Sequence, residues 1–415
     1  MHWILLSLIL VAFVLIVIED VVHINKAKST LFIGTLVWIL AFMFPQHGAD
    51  AALVQEQLNE NLLEIATLWL FLMAAMTFVA YLNQQGLITQ LVYRALPAQL
   101  GQRQLMVMIA VLALVFSSLA DNITASLIML SLLSSLKLKP RTMIKFAALV
   151  VFAVNSGGVS LITGDVTTLM IFLAGKVSIG DLFLLIPAAF AGVFMLLATL
   201  MTTAGSSVVE VPQFRRPIAG RDKVIAVLFV STIFATLLLS VFFSIPPVLT
   251  FLFGLSVMFL AYQFLNRDKP KRQSVLEYMR EIEFDTLLFF LGVLLLVGML
   301  KELSVLDQLP RLYELMPVAA ANFVVGLLSA LVDNVPLTAA ILKSGIDMDT
   351  ADWMCLTYAT GVGGSLLIIG SAAGVIAMSK IEALSFVSYM RYMPRLLLAY
   401  SAGYGAVWVI GHKLM

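Results

Sequence analysis

Apolar runs recur along the whole 415-residue chain, and many approach the ~20 residues that carry a helix across ~30 Å of hydrocarbon. Full-length runs fall at 1–22, 30–45, 62–82, 143–175, 182–201, 224–243, 247–265, 284–300, 352–379 and 395–411. Backbone groups in lipid must be satisfied within their own segment, so each run predicts a helix. The first run, Trp3 to Ile18, lacks a basic leader and a small-residue cleavage site and is expected to be a mature span. Segments 86–100, 302–315 and 380–393 are amphipathic and are expected on the membrane surface or as loop helices.

Two stretches, 104–136 and 317–343, depart from this pattern. As one helix the first would be about 50 Å long, while a split at Asp121-Asn122 leaves arms of about 22–25 Å. The second is divided by Asp333-Asn334, and Pro336 removes a backbone donor just after the acid. Both predict re-entrant hairpins with polar tips. The other reading is one kinked span with a buried polar pair. The acids stand at 121 and 333, a separation of 212.

Composition fixes the solvent: 61% hydrophobic and 12% charged residues, with a mean hydropathy of +1.03, describe an all-α polytopic membrane protein. About ten transmembrane helices and two hairpins are expected. A net charge of +1 offers no footprint for nucleic acid, and the single Cys355 forms no internal disulfide. His2, His23, His47 and His412 sit near segment ends without metal-ligand spacing. Basic residues cluster in six connectors, the first at Lys26 and Lys28. All six fall on the cytoplasmic side if both termini are outside and both hairpins are re-entrant. The first hairpin then enters from the cytoplasm and the second from outside. This predicts two inverted repeats, 1–223 and 224–415, each with a hairpin (104–136, 317–343) and a broken helix (143–175, 352–379).

Self-similarity supports the inversion. SGGVSLITGD at 156–165 matches VGGSLLIIGS at 362–371, and Glu64-Ile-Ala-Thr-Leu resembles Glu283-Phe-Asp-Thr-Leu before each hairpin. Repeated glycines each cost a helix ~1 kcal/mol, and unwound backbone at membrane depth is tolerable only where it lines a cavity. Broken helices facing polar tips in two inverted halves point to a midplane transport site. Its candidate ion- and proton-binding residues are Asp121, Asn122, Thr124, Asn155, Ser156, Thr163, Asp165, Thr167, Asp333, Asn334, Thr338, Thr360, Ser365 and Ser371. Free helix N-termini would suit an anion, but three carboxylates favour a cation, with Na⁺ against Asp121, Asp165 and Asp333. Glu64 and Asp285 are candidates for proton access or for helix caps. Ser371 stands where Asp165 would have its counterpart, so the site is expected to be uneven. Crowded acids hold protons or a metal cation in competition, the chemistry of antiport.

At these residues, in SSLADNITAS (117–126), NSGGVSLITGDVTTLM (155–170), VDNVPLTAAI (332–341) and GVGGSLLIIGSAAGVIAM (361–378), the chain resembles the NhaD-type sodium/proton antiporters of the ion transporter superfamily. The resemblance implies exchange of cytoplasmic Na⁺ or Li⁺ for external H⁺ in a bacterial inner membrane, no cofactor, no enzymatic activity and a homodimer. Related dicarboxylate carriers place Ser-Asn-Thr at the tips, where this chain has Asp121 and Asp333, which argues against dicarboxylate. Arsenite or an organic anion on the same scaffold is an alternative. An intramembrane aspartyl protease is a remote one, since Ala120-Asp121 and Thr163-Gly164-Asp165 depart from its motifs and the duplication has no role there.

Overall fold

The protein is described by a computed structural model over residues 2–17, 19–22, 24–44, 51–136, 138–205, 207–212, 219–267 and 275–414. His23, His47, Asp50, Lys137, Arg215, Arg216, Lys269, Lys271 and Arg272, several of which enter the charge argument for topology, lie outside the described residues.

The apolar runs become helices in the expected order. Helices α1 (His2–Val17) and α2 (Glu19–Val22) share the first run, and α3 (Lys26–Met43) takes the second. α4 (Ala51–Gln84) has 34 residues and reaches well upstream of the 62–82 run, because AALVQEQLNE is rich in strong helix formers. After α5 (Leu87–Ala95), the first polar-tipped stretch divides into α6 (Gln102–Leu119) and α7 (Asn122–Ser135). The next run breaks into α8 (Pro140–Gly158) and α9 (Val166–Leu173), followed by α10 (Ile179–Met201). The second half opens with α11 (Gly220–Phe243), α12 (Pro247–Leu265), α13 (Val275–Arg280), α14 (Phe284–Glu302) and α15 (Leu309–Glu314). It repeats the divided pairs as α16 (Val318–Leu328) with α17 (Asn334–Lys343), and α18 (Thr350–Gly363) with α19 (Ala372–Lys380), then ends in α20 (Phe386–Met390) and α21 (Met393–Leu414).

Seven helices among the described residues, α3, α4, α6, α10, α11, α12 and α14, are long and apolar enough to cross a membrane. The 352–379 run is absent from that set because its break leaves α18 only 14 residues, and the 143–175 run because α8, though 19 residues long, carries Arg141, Lys145 and Asn155. α6 belongs to it: its 18 residues span about 27 Å, longer than the arm length expected for a hairpin. A short ladder was not expected from the sequence. β1 (Gln99–Gly101) pairs antiparallel with β2 (Val208–Glu210), Leu100 opposite Val209.

Capping explains where the two polar-tipped stretches divide. Ala120 is extended, and the Asp121 carboxylate accepts from the Ile123 and Thr124 amides, so α7 starts afresh. Asp333 caps α17 in the same way through the Val335 amide. Close packing explains where the long helices break. A Cβ on Gly157 would lie 2.1 Å from the Leu114 carbonyl oxygen, and one on Gly363 would lie 2.0 Å from that of Gly326. Only glycine allows these backbones to cross so tightly.

The helices form two bodies, each drawn from both halves of the chain. In one, α6, α7, α8, α9, α10, α16, α17, α18, α19 and α21 pack around α8 and α18. α8 is buried continuously from Lys145 to Gly158, which shields its broken end from lipid. In the other, α3 packs along α14, and α4 along α12 and α14, with α1 and α11 outside. α11 and α12 turn large side chains such as Phe242, Phe253 and Phe264 outward, as lipid-facing helices do. α14 against α17 forms the main contact between the bodies.

Candidate functional site

Between the bodies lies a cavity into which both hairpin tips and the first broken helix project. Asp121, Asn122, Asn155, Thr163, Asp165, Asp285, Asp333, Asn334 and Ser371 line it, all expected from the sequence. The remaining expected residues stand around it. Thr124 donates its hydroxyl to Asp121 Oδ2 at 2.8 Å, and Thr167 donates to Asp165 Oδ2. Ser156 and Thr338 are buried hydroxyls with no partner among the described residues. Thr360 and Ser365 donate within their own segments, to Leu356 at 3.0 Å and Val362 at 2.6 Å, and are not brought to the cavity.

Asp165 sits at the break, in extended backbone just before α9, and is buried. No Lys or Arg among the described residues lies within 4.0 Å of Asp165 or Asp121. A buried carboxylate without a counter-charge is several kcal/mol unfavourable, so a proton or a cation must accompany Asp165.

The Asn122 amide shows which side the cation would take. Ser117 has a single hydroxyl proton, and the Val154 carbonyl 2.6 Å away accepts it. The Asn122 amide atom 2.7 Å from the Ser117 oxygen also faces two acceptor-only carbonyl oxygens, Val154 at 3.3 Å and Gly164 at 3.1 Å, so it is assigned as the nitrogen, whose two hydrogens these three oxygens share. The amide oxygen then takes the position 3.4 Å from Asp165 Oδ1. Two oxygens then face each other, an arrangement satisfied either by a proton on Asp165 or by a shared hard cation.

The second half repeats part of this framework. Ser329 donates to the Thr360 carbonyl at 2.8 Å, as Ser117 does to Val154. Ser371 occupies the place of Asp165 and accepts from Asn155 at 3.0 Å, which ties the two breaks together. Asn334 makes no side-chain hydrogen bond among the described residues.

The two residues proposed for proton access separate. Asp285 lies in the first turn of α14, lines the cavity and accepts from Asn25 at 2.7 Å. Glu64 is not at a helix head, because α4 begins at Ala51; it stands away from the cavity and pairs with Lys343 at 2.7 Å. Glu283, just outside α14, is partly buried. Burial first, and then nearby Asp121, push its carboxyl up to about 7.

Sequence reasoning missed Ser117, although it stands inside the SSLADN motif, and it missed Lys26. The Lys26 ammonium reaches Asp333 Oδ2 at 3.0 Å. Its only sequence signal was its place in a basic connector, where a solvated residue was expected.

Comparisons with known proteins identify the family. A family model described as a citrate transporter, CitMHS, matches residues 3–361. The Na(+)/H(+) antiporter NhaD of Vibrio cholerae is 32% identical, over 94% of this chain and 88% of its own length. The NhaD antiporter of Vibrio parahaemolyticus is 31% identical over 91% and 98%, and Sodium/proton antiporter 2 of Arabidopsis thaliana is 29% identical over 92% and 93%. The chain belongs to the CitMHS transporter family and, within it, to the NhaD-type sodium/proton antiporters.

Proposed function

We propose that the chain exports cytoplasmic Na⁺ or Li⁺ in exchange for protons by alternating access, with the buried carboxylates shared competitively by cation and protons. The observation that carries this reading is the facing pair of the Asn122 amide oxygen and Asp165 Oδ1, in one cavity with Asp121 and Asp333. An unpaired Asp165 is neutralised by a proton in one half of the cycle and by the cargo cation in the other. Thr167 occupies Asp165 Oδ2 and leaves Oδ1 for the ion, whereas both oxygens of Asp121 already accept hydrogen bonds from α7. The body of hairpins and broken helices moves against the body built on α3, α4, α12 and α14, and carries the site from one face to the other.

The repeats at 1–223 and 224–415, with re-entrant hairpins of opposite orientation, belong to the same reading. Paired contacts support them: Gly157 on Leu114 beside Gly363 on Gly326, and Ser117 to Val154 beside Ser329 to Thr360. An inner-membrane location and a homodimer belong to the reading by analogy with the family, and both termini outside follows from the placement of the basic connectors. Citrate is the cargo in the family model's description. A tricarboxylate would bring like charge against five lining carboxylates, Glu19, Asp121, Asp165, Asp285 and Asp333, with the Lys26 ammonium paired to Asp333, and is disfavoured here.

The test is dissipation of a pH gradient in everted membrane vesicles on addition of Na⁺, Li⁺, K⁺ or citrate. Na⁺ or Li⁺ is expected to drive proton movement in the wild type, with that movement abolished in Asp165→Asn. Wild-type rates in Asp165→Asn, or a response to citrate alone, would overturn the reading.

A further inference from the structure

The two hairpin tips differ chemically in a way that the shared Asp-Asn motif conceals. Asp121 accepts three hydrogen bonds from its own helix: the Ile123 and Thr124 amides at 2.9 Å each, and the Thr124 hydroxyl at 2.8 Å. At the second tip, Pro336 stands where Thr124 stands in the first, and it has neither an amide proton nor a hydroxyl. Asp333 keeps only the Val335 amide, at 3.2 Å to Oδ1. The donors missing at Oδ2 are replaced by Lys26, whose ammonium lies 3.0 Å away and 4.6 Å from the Phe289 ring centroid.

Lys26 is held for this contact. It is the first residue of α3, on the body opposite to the hairpins. The Glu19 carboxylate accepts from its backbone amide at 3.0 Å. Its neighbour Asn25 accepts from the Ala27 amide at 2.8 Å and donates to Asp285 at 2.7 Å, so the main chain is anchored on both sides. The side chain spans the cavity wall with the ring of Phe289 beneath it.

Resting on the Na⁺/H⁺ reading, we propose that Lys26 is a tethered cation that occupies Asp333 in competition with the transported ion and thereby sets the apparent affinity for Na⁺. An ammonium and a Na⁺ compensate the same single charge, so the cargo engages Asp333 only as Lys26 withdraws. Asp121 and Asp165, with no such tether, take the ion first. Lys26 also bridges the two bodies, so its release on cargo binding frees the hairpin body to move.

The experiment measures Na⁺-driven proton movement in everted vesicles for wild type, Lys26→Gln, Lys26→Arg, Asp333→Asn and Lys26→Gln/Asp333→Asn. Removal of the competitor in Lys26→Gln is expected to lower KM for Na⁺ by roughly fivefold, the factor equivalent to one partly exposed ion pair. Lys26→Arg should keep the wild-type KM, and in the Asp333→Asn background the Lys26 substitution should leave KM unchanged. An unchanged KM in Lys26→Gln, or equal shifts in Gln and Arg, would overturn the proposal. A second measurement uses wild type alone: acylation of Lys26 by an amine reagent, followed by mass spectrometry, should rise when Na⁺ replaces choline. No rise would also overturn the proposal. A wild type with no Na⁺-driven proton movement would instead sink the antiport reading.

Discussion

At the scale of single residues, the site depends on which atom of Asn122 faces Asp165. Ser117 sets that orientation, since its one proton goes to Val154 and its oxygen must accept from the amide. Ser117→Ala is expected to raise KM for Na⁺ by about tenfold, as loss of an orienting partner does at metal sites. Ser329→Ala is a demanding control, because Ser329 makes the equivalent bond to Thr360 but orients no amide; its KM should stay near wild type. Glu283 gives a pH-dependent prediction. Its carboxyl is pushed up to about 7 from 4.5, so the native state binds its proton more tightly than the unfolded chain does. That stabilisation is complete below pH 4.5 and is lost as pH rises through 7. Glu283→Gln should therefore melt higher than wild type at about pH 8 and at the same temperature near pH 4.5, in detergent-solubilised protein. The acids themselves were legible in the sequence, because carboxylates within apolar runs need a reason to be there. Lys26 was not legible: a lysine between two spans looks solvated until the fold folds its connector over a tip 307 residues away.

At the scale of elements, the interruptions carry the function. α8 and α18 stop where glycine lets them cross a neighbouring backbone, and the residues after each break deliver Asp165 and Ser371 to the cavity. Gly157→Ala is expected to disrupt folding, because a Cβ 2.1 Å from the Leu114 carbonyl meets backbone that cannot swing aside. The check is the yield of monodisperse protein, with Gly220→Ala, where nothing lies within 4 Å, expected to match wild type. The break positions could be read from the sequence, since Asn155-Ser156-Gly157-Gly158 combines helix breakers with groups that have no partner in lipid. The start of α4 could not. The polar stretch before residue 62 hides the apolar signal, yet its residues favour helix, and the extension moves Glu64 from a helix head to its interior. The β1–β2 ladder was equally invisible, since three-residue strands leave no periodic pattern.

At the scale of the whole molecule, the halves of the chain are interleaved: each of the two bodies takes helices from both. The bodies meet at α14 with α17 and through long side chains, among them Lys343 on α17, which donates to Asn61 on α4 at 2.7 Å. A cysteine pair made by Asn61→Cys and Lys343→Cys and joined by a short bifunctional reagent should stop Na⁺-driven proton movement. A reducible reagent should allow full recovery on reduction. The Asp-Asn tips and glycine breaks, which occur twice in one order, were legible in the sequence, whereas the division into bodies depends on contacts between helices far apart in sequence. The central claim is that Na⁺ and protons share the carboxylates around Asp165. It is tested most directly by proton release from purified protein in weakly buffered detergent solution on addition of Na⁺. The account predicts release that saturates with Na⁺ and is lost in Asp165→Asn. Saturable Na⁺ binding without proton release, or release unchanged in Asp165→Asn, would contradict it.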